Sequence, residues 1–305
     1  MNKAIKILLT IVILFAFIAD SHSQSTNREW WNSLSPSWKK VIQKQHFKGK
    51  DITPTDEQLI EIGKMVLLDI EDNKEVKNLH PAKALQMLEI IKAKNSGIES
   101  LEGLEGLINL KEIDVSDNDN INSVIPLSGL NNLEEVNCGN TFVKSLVPLR
   151  NLDKLRKLDV HYTTIVDLRI LKDLKNLSHL DVSDNISLYS LEGCQFMYEL
   201  TYLNCSKTNV DDLTPLSKLK NLNRLDCSDT KVETLRPIQL VKTLQDIDCS
   251  GTNISGKSLD YLLGHSILTM IRAKNIKISD KEAKEFEEIL QKRNPDATII
   301  IIPKN

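Results

Sequence analysis

The feature that most constrains this chain is a leucine position that returns every 22 to 24 residues. Ten such positions follow one another: Met65, Leu88, Leu110, Leu133, Leu155, Leu177, Leu200, Leu222, Leu244 and Leu268. Three residues after each of them stands another aliphatic residue, as Leu158 and Leu180 do. One unit of this length cannot bury its own apolar face, whereas stacked units bury a continuous column. The spacing therefore predicts a solenoid of about ten repeats over residues 65–278.

Within each repeat, the pattern L-x-x-L-x-(L/V/C)-x-x-(N/T) describes a short strand followed by a turn. Successive side chains of a strand point to opposite sides, so the apolar positions face inward and the residues between them face outward. Stacking then produces a parallel sheet along the concave side. Proline recurs in the return segments, at Pro81, Pro126, Pro148, Pro215 and Pro237. Because proline disfavours long helices and central strands, we expect short helical turns or extended structure on the convex side.

The longer unit L-x-x-L-x-L-x-x-N/T-x-I-x-x-L-x-P-L resembles the leucine-rich repeats of about 22 residues in bacterial internalin-like and eukaryotic phosphatase-regulator proteins. Residues 225–230 (LDCSDT) and 30–40 (WWNSLSPSWKK) resemble segments of exported proteins of Bacteroidetes. The repeat resemblance covers about two-thirds of the chain. It implies an α/β leucine-rich-repeat solenoid with a recognition role, and it points to no particular ligand.

The first 23 residues have a different composition from the rest of the chain. Lys3 and Lys6 precede an apolar stretch, and small residues stand ahead of Gln24, which is typical of a signal peptide cleaved before Gln24. An uncleaved N-terminal anchor is the alternative, although the stretch is shorter than the roughly 20 residues of a membrane span. The first cysteine is Cys138, so a lipid-anchored lipoprotein is not expected. The sequence predicts export to the periplasm, the cell surface or the medium, with no stable membrane insertion after cleavage.

The two ends of a solenoid need covering, because they would otherwise leave apolar side chains and strand edges bare. Residues 24–64 hold all three tryptophans and are expected to form a helical N-terminal cap, although the tryptophans could also form a ligand platform. Ser279 and Glu282 have the spacing of a capping box, which predicts a helix through about Arg293. A final strand is expected over residues 297–302, so that residues 279–305 form a C-terminal cap.

The cysteines and histidines do not have the spacing of a chemical site. Four of the five cysteines stand five residues after a repeat leucine, where other repeats carry valine, which predicts buried free thiols. A disulfide among Cys205, Cys227 and Cys249 is the alternative that export would favour. His161 and His179 are expected about 13 Å apart along their strands, too far for one metal ion or one catalytic dyad. We therefore predict no catalytic residue, no cofactor and no metal, and an enzyme with an unrecognised site is a less favoured alternative.

Three outward columns of the predicted concave face lie two, four and six residues after each leucine. The middle column is mostly acidic and includes Asp114, Asp159, Asp181, Asp226 and Asp248. From the strand after Leu110 to the strand after Leu244, the three columns hold eight acids against Lys157 and Arg224, a net charge of −6, whereas the whole chain carries −3. We call the middle column the acidic column. It is either simply solvated or part of a surface for a basic partner.

Beside the acidic column, four consecutive strands place Lys157, His179, Tyr202 and Arg224 two residues after their leucine. Tyrosine and arginine are over-represented in binding hot spots, and four strands at ~4.8 Å spacing would give a patch about 15 Å long. Chance similarity among exposed positions is the alternative.

The sequence thus predicts a non-enzymatic module that binds a protein or peptide through its concave face. A surface adhesin-like element is the alternative, glycans are less favoured because aromatic residues are few, and nucleic acid is not expected at this small net charge.

Overall fold

The computed structural model of the protein describes residues 26–304, so the predicted signal peptide lies outside the described residues. Within that range, eleven parallel strands form one open sheet in sequence order. They are β1 (Leu67–Asp69), β2 (Ile90–Lys92), β3 (Glu112–Asp114), β4 (Glu135–Asn137), β5 (Lys157–Asp159), β6 (His179–Asp181), β7 (Tyr202–Asn204), β8 (Arg224–Asp226), β9 (Asp246–Asp248), β10 (Met270–Ile276) and β11 (Thr298–Pro303). None of the helices in residues 26–304 has the length and apolarity that a membrane span requires.

Strand register turns the repeat spacing into columns of side chains. In β5 and β6, for example, Leu158 pairs with Leu180 and Asp159 pairs with Asp181. The inward residues, such as Leu158 and Val160, are fully buried, whereas the outward residues beside them are exposed or half-buried. The aliphatic core therefore runs the length of the solenoid, and the prediction of inward and outward columns is confirmed.

Most return segments contain a single helical turn, one of the two forms expected from the recurring prolines, whereas the segment between β2 and β3 contains turns without a helix. The bounds of the helical turns are His80–Ala84, Ile125–Leu127, Val147–Leu149, Arg169–Leu171, Cys194–Phe196, Thr214–Leu216, Arg236–Ile238 and Asp260–Gly264 for the 3₁₀ turns, and Gly256–Leu259 for one α-helical turn. Proline occupies an early position in several of them, for example Pro148 and Pro215, where its fixed φ suits the turn and its missing N–H is not needed.

The five cysteines, all within the described residues, are buried free thiols, as predicted. Burial raises the pKa of the Cys138 and Cys194 thiols to about 12 and raises the pKa of Cys205 and Cys227 well above the usual value. A thiol that stays protonated is a poor nucleophile and a poor metal ligand. These side chains therefore act as small core residues.

Helices stand at both ends of the repeat array. The N-terminal helices cover residues 26–33, Pro36–His46 and Asp56–Ile62. Trp31 and Trp38 are buried, and the Trp38 indole N–H donates to the Asn78 carbonyl at 3.1 Å. This packing against the first repeat favours a cap over a ligand platform. At the other end, the predicted capping box at Ser279 opens the helix Asp280–Arg293, after which β11 adds to the sheet beside β10.

Candidate binding surface on the concave face

Three of the four side chains predicted for the patch form one continuous stack. The rings of His179 and Tyr202 lie parallel, with centroids 4.0 Å apart and an interplanar angle of 2°. The guanidinium carbon of Arg224 lies 5.6 Å from the Tyr202 ring centroid, within the range of a cation–π interaction. Lys157 is the exception, because its Nζ contacts Glu135 Oε1 at 2.7 Å on the neighbouring strand. We refer to His179, Tyr202 and Arg224 as the aromatic column.

Burial sets the protonation of the aromatic column. It lowers the pKa of His179, against the opposing influence of Asp181 and Asp159, so the imidazole is neutral at neutral pH. Burial also raises the pKa of Tyr202, which keeps its hydroxyl protonated and able to donate a hydrogen bond. The column thus offers two flat neutral rings and one exposed guanidinium to a ligand. Arg224 is held in place by Asp246, with Nε and Oδ2 3.3 Å apart.

The acidic column has a structural task in every repeat where it occurs. In each case one carboxylate oxygen accepts the backbone N–H two residues further on, which closes the turn at the end of the strand. The distances are 2.9 Å for Asp114, 3.0 Å for Asp159, 2.9 Å for Asp181, 3.0 Å for Asp226 and 3.0 Å for Asp248. Asn137 and Asn204 make the same bond from the same place, at 3.0 and 3.1 Å. An acceptor oxygen is therefore what the fold needs at this position, and the negative charge is additional.

The charge of the acidic column is offset at its C-terminal end. Arg272 in β10 donates to Asp248 Oδ2 at 2.9 Å and to Asp246 Oδ1 at 2.7 Å. The net charge of −6 from sequence counted the strands only up to β9, so it left this arginine out. Burial, with Asp248 close by, raises the pKa of Asp226. Asp159 and Asp181, in the middle of the face, are farther from Arg272 along the sheet, so Arg272 does not offset their charges.

His161 is a second departure from the repeat on this face. Its Nδ1 lies 2.7 Å from Asp159 Oδ1, and this hydrogen bond raises the pKa of His161. The imidazole lies over Gly139, where a Cβ atom would overlap the ring. His161 and His179 do not combine into one site, and in residues 26–304 no group of three or more His, Cys, Asp or Glu side chains is placed to hold a metal ion.

Sequence reasoning missed a group of apolar side chains beyond the ends of the strands. Phe142, Tyr162 and Ile186 are exposed and line one groove of about 570 Å³. A second groove of about 390 Å³ lies on the concave face itself, where Lys92, Glu135, Lys157, Asp159 and His179 are among its lining residues. The signal for the first groove was present in the sequence, because the position of Tyr162 is aspartate in several other repeats, as at Asp117 and Asp229.

Known proteins match this chain in sequence over a limited stretch and in structure over most of its length. Residues 88–185 match the family model described as the Endo-beta-N-acetylglucosaminidase EndoS LRR domain. No curated protein sequence matches the chain. The resemblance to exported proteins of Bacteroidetes stays a prediction.

Among solved structures, an internalin from Listeria monocytogenes is similar with a TM-score of 0.66 and 19% identity, over 88% of this chain and 89% of that one. A leucine-rich-repeat protein from Leptospira interrogans has a TM-score of 0.70 and 22% identity, over 81% and 62% of the two chains. The ectodomain of the plant membrane receptor kinase GASSHO1/SCHENGEN3 from Arabidopsis thaliana, in complex with CASPARIAN STRIP INTEGRITY FACTOR 2, has a TM-score of 0.66 and 18% identity, over 81% and 31%. These matches confirm the predicted fold.

Proposed function

We propose that this leucine-rich-repeat protein is a non-enzymatic module that binds a protein or peptide outside the cytoplasm, with the concave face of β5 to β8 as the contact surface. The observation that carries the proposal is the aromatic column, in which a half-buried histidine, a half-buried tyrosine and an exposed arginine from consecutive strands stack on one another. The location outside the cytoplasm rests on the predicted signal peptide.

The aromatic column has the properties of a binding hot spot. Its side chains stand on a rigid sheet and already contact one another, so little conformational entropy is lost when a ligand covers them. Tyr202 and Arg224 are the residue types most often found as energetic centres of interfaces. The rings offer apolar area, while the tyrosine hydroxyl and the guanidinium can donate hydrogen bonds to a ligand backbone.

The acids around the column favour a basic ligand. Asp181 lies on the same strand as His179, Asp159 lies on the neighbouring strand β5, and both are half-buried. A ligand with lysine or arginine would gain favourable electrostatic energy there, whereas the phosphates of a nucleic acid would be repelled. The Arabidopsis ectodomain in complex with its factor is an example of this fold holding a ligand.

The test begins with a pull-down from the native cell envelope with the mature chain, followed by affinity measurements on the purified partner. Tyr202→Ala and Arg224→Ala should each weaken binding by roughly 2 kcal/mol, because both are central side chains of the column. Tyr198→Ala removes another exposed tyrosine from outside the concave strands, and it should leave the affinity unchanged.

Charge and contact can be separated in the same measurement. Asp159→Asn together with Asp181→Asn should mainly slow association with a basic partner, and the effect should fade as salt rises. If the column variants bind normally while Tyr198→Ala does not, the concave-face assignment is wrong. Attachment to cells without any single high-affinity partner would instead support an adhesin-like element.

A further inference from the structure

Beyond the carboxyl ends of three neighbouring strands lies a groove that we call the edge groove. Phe142, Tyr162 and Ile186 line it, a few residues after the ends of β4, β5 and β6, and its volume is about 570 Å³. Thr141 and Thr163 also line it, and their hydroxyl groups donate to the backbone carbonyls of Cys138 and Val160 at 2.7 and 2.9 Å. The edge groove therefore stands on backbone that the repeat itself makes rigid.

Tyr162 is at a backbone position that tyrosine rarely occupies. Its φ is +48°, in the left-handed region, and the same place in other repeats is held at similar φ by Asp117, Asn140, Asp184 and Asp229, and in one repeat by Lys207. Aspartate and asparagine tolerate this conformation, whereas a bulky side chain makes it costly. The ring gains little burial in return, since Tyr162 is 61% exposed. Folding alone thus gives no reason for a tyrosine here.

Phe142 and Ile186 complete an exposed apolar patch beside Tyr162. They are 55% and 73% exposed. Large apolar side chains that gather on adjacent repeats, without cover, are typical of a surface that another molecule buries. Burial of such side chains by a ligand would be favourable, because each would leave water.

The charges at the edge groove identify the kind of ligand that fits. Asp119 and Asp184 are among its lining residues, and of the described residues that line it none is lysine or arginine. Asp184 also contacts Lys207, at 3.2 Å, in an exposed ion pair that a ligand cation could replace at little cost. The groove is therefore apolar at its walls and acidic at its rim.

We propose that the edge groove receives one large apolar side chain from a protein or peptide segment that carries lysine or arginine next to it. The proposal rests on the proposed function. The same basic ligand would contact the acidic column on the concave face and continue past the ends of the strands into the edge groove. A second copy of this chain fits less well, because its own Asp119 and Asp184 would face the same acids.

The probe is a random dodecapeptide library displayed on phage, selected against the immobilised mature chain. Enriched peptides should contain a large apolar residue next to lysine or arginine. Synthetic versions should bind Phe142→Ser and Ile186→Ser about tenfold more weakly than the unchanged protein, as expected when an interface loses an apolar contact. Ile125→Ser, which removes an exposed isoleucine away from the edge groove, is the matched control and should change affinity less than about twofold.

A double-mutant cycle assigns the contact. If the apolar residue of the peptide enters the edge groove, its replacement by serine should weaken binding to the unchanged protein by about the same factor as Phe142→Ser does. The same replacement should weaken binding to the Phe142→Ser variant almost no further. Melting temperatures of all variants should match that of the unchanged protein, because the substituted side chains are exposed.

The outcomes separate this inference from the proposed function. Peptides whose binding needs Tyr202 but neither Phe142 nor Ile186 would overturn the edge groove and leave the concave-face proposal standing. Peptides that need Phe142 but not Tyr202 would support the edge groove and contradict the concave-face proposal. Enrichment of acidic peptides, failure of any peptide to enrich, or light scattering that shows a dimer converted to monomer by Phe142→Ser would each overturn the edge groove as a site for a basic ligand.

Discussion

The two outward columns of the concave face differ in what keeps their side chains in place. The acidic column repeats, and each of its oxygens closes a turn, as Asp226 does for the N–H of Ser228 at 3.0 Å. The aromatic column does not repeat, and its side chains contact one another, as His179 and Tyr202 do. Repetition therefore marks what the solenoid needs in order to fold, and departure from it marks what the fold does not require.

The turns beyond the strands show the same difference between residues that repeat and residues that depart from the repeat. Asp117 and Asp229 occupy a left-handed position that suits them, while Tyr162 occupies the equivalent position against its steric preference. On the concave side, the His161 ring has room only because the facing residue in the preceding repeat is Gly139, which has no side chain. These departures lie in the central repeats, next to the aromatic column, so the candidate surfaces share one part of the molecule.

The largest expected effect concerns the inward half of a repeat. Leu180→Ala should lower the free energy of unfolding by about 2–5 kcal/mol, since a fully buried leucine leaves a cavity. Lys157→Ala, on an exposed outward position, should change it by no more than about 0.5 kcal/mol. Urea unfolding followed by circular dichroism measures both variants. Equal losses would break the distinction between inward and outward columns.

Thiol reactivity tests the same distinction without mutation. The native protein should react with a thiol reagent at least about a hundredfold more slowly than the denatured protein, because the chain must open to expose a buried thiol. Mass spectrometry after labelling in denaturant should count five labelled cysteines. A mass that shows the loss of two hydrogen atoms, traced to Cys205, Cys227 or Cys249, would mean that a disulfide replaces the free thiols.

Two substitutions of Asp226 distinguish the hydrogen-bonding role of the acidic column from the effect of its negative charge. Asp226→Ala should cost about 1 kcal/mol, because the backbone N–H and hydroxyl of Ser228 both lose their acceptor. Asp226→Asn keeps an acceptor oxygen, as Asn204 does, and removes a half-buried carboxylate whose pKa is raised by burial. It should leave stability unchanged or slightly higher in urea unfolding at pH 7. Equal losses in the two variants would show that the charge, not the turn, is what matters.

The smallest expected effect is a difference in pH dependence between two histidines. The hydrogen bond to Asp159 raises the pKa of His161 above the usual value near 6.5, so its stabilising contribution is present below that pH and is lost as pH rises through the raised pKa. Burial lowers the pKa of His179, so its charging penalty is present at acid pH and is gone above about pH 6.5.

Unfolding free energies of His161→Asn and His179→Asn, each compared with the unchanged protein between pH 5 and pH 8.5, measure these contributions. The stabilisation from His161 should decrease with rising pH, and the stabilisation from His179 should increase. Parallel slopes for the two histidines would contradict the assigned environments.

Most of the fold could be predicted from the sequence because a solenoid converts linear spacing into neighbouring columns. The positions of Leu158 and Leu180 in the chain were enough to pair their strands, and the Ser279 capping box was enough to begin the last helix. The free thiols followed in the same way, from the valines that replace cysteine in other repeats. Each of these features depends on residues that are close in sequence or one repeat apart.

The candidate surfaces could be predicted only as sets of outward positions. Whether Lys157 joins its column or turns to Glu135, and whether His179 and Tyr202 stack, depends on rotamers chosen among competing contacts. The hydrogen bond between Trp38 and Asn78 joins residues that are 40 positions apart. It depends on the angle at which the N-terminal helix packs against the first repeat. Sequence by itself determined which side chains face which way, because strand alternation and repeat stacking are local rules. Tertiary structure alone decided which of those side chains touch, because contacts between repeats depend on packing that no single position in the chain specifies.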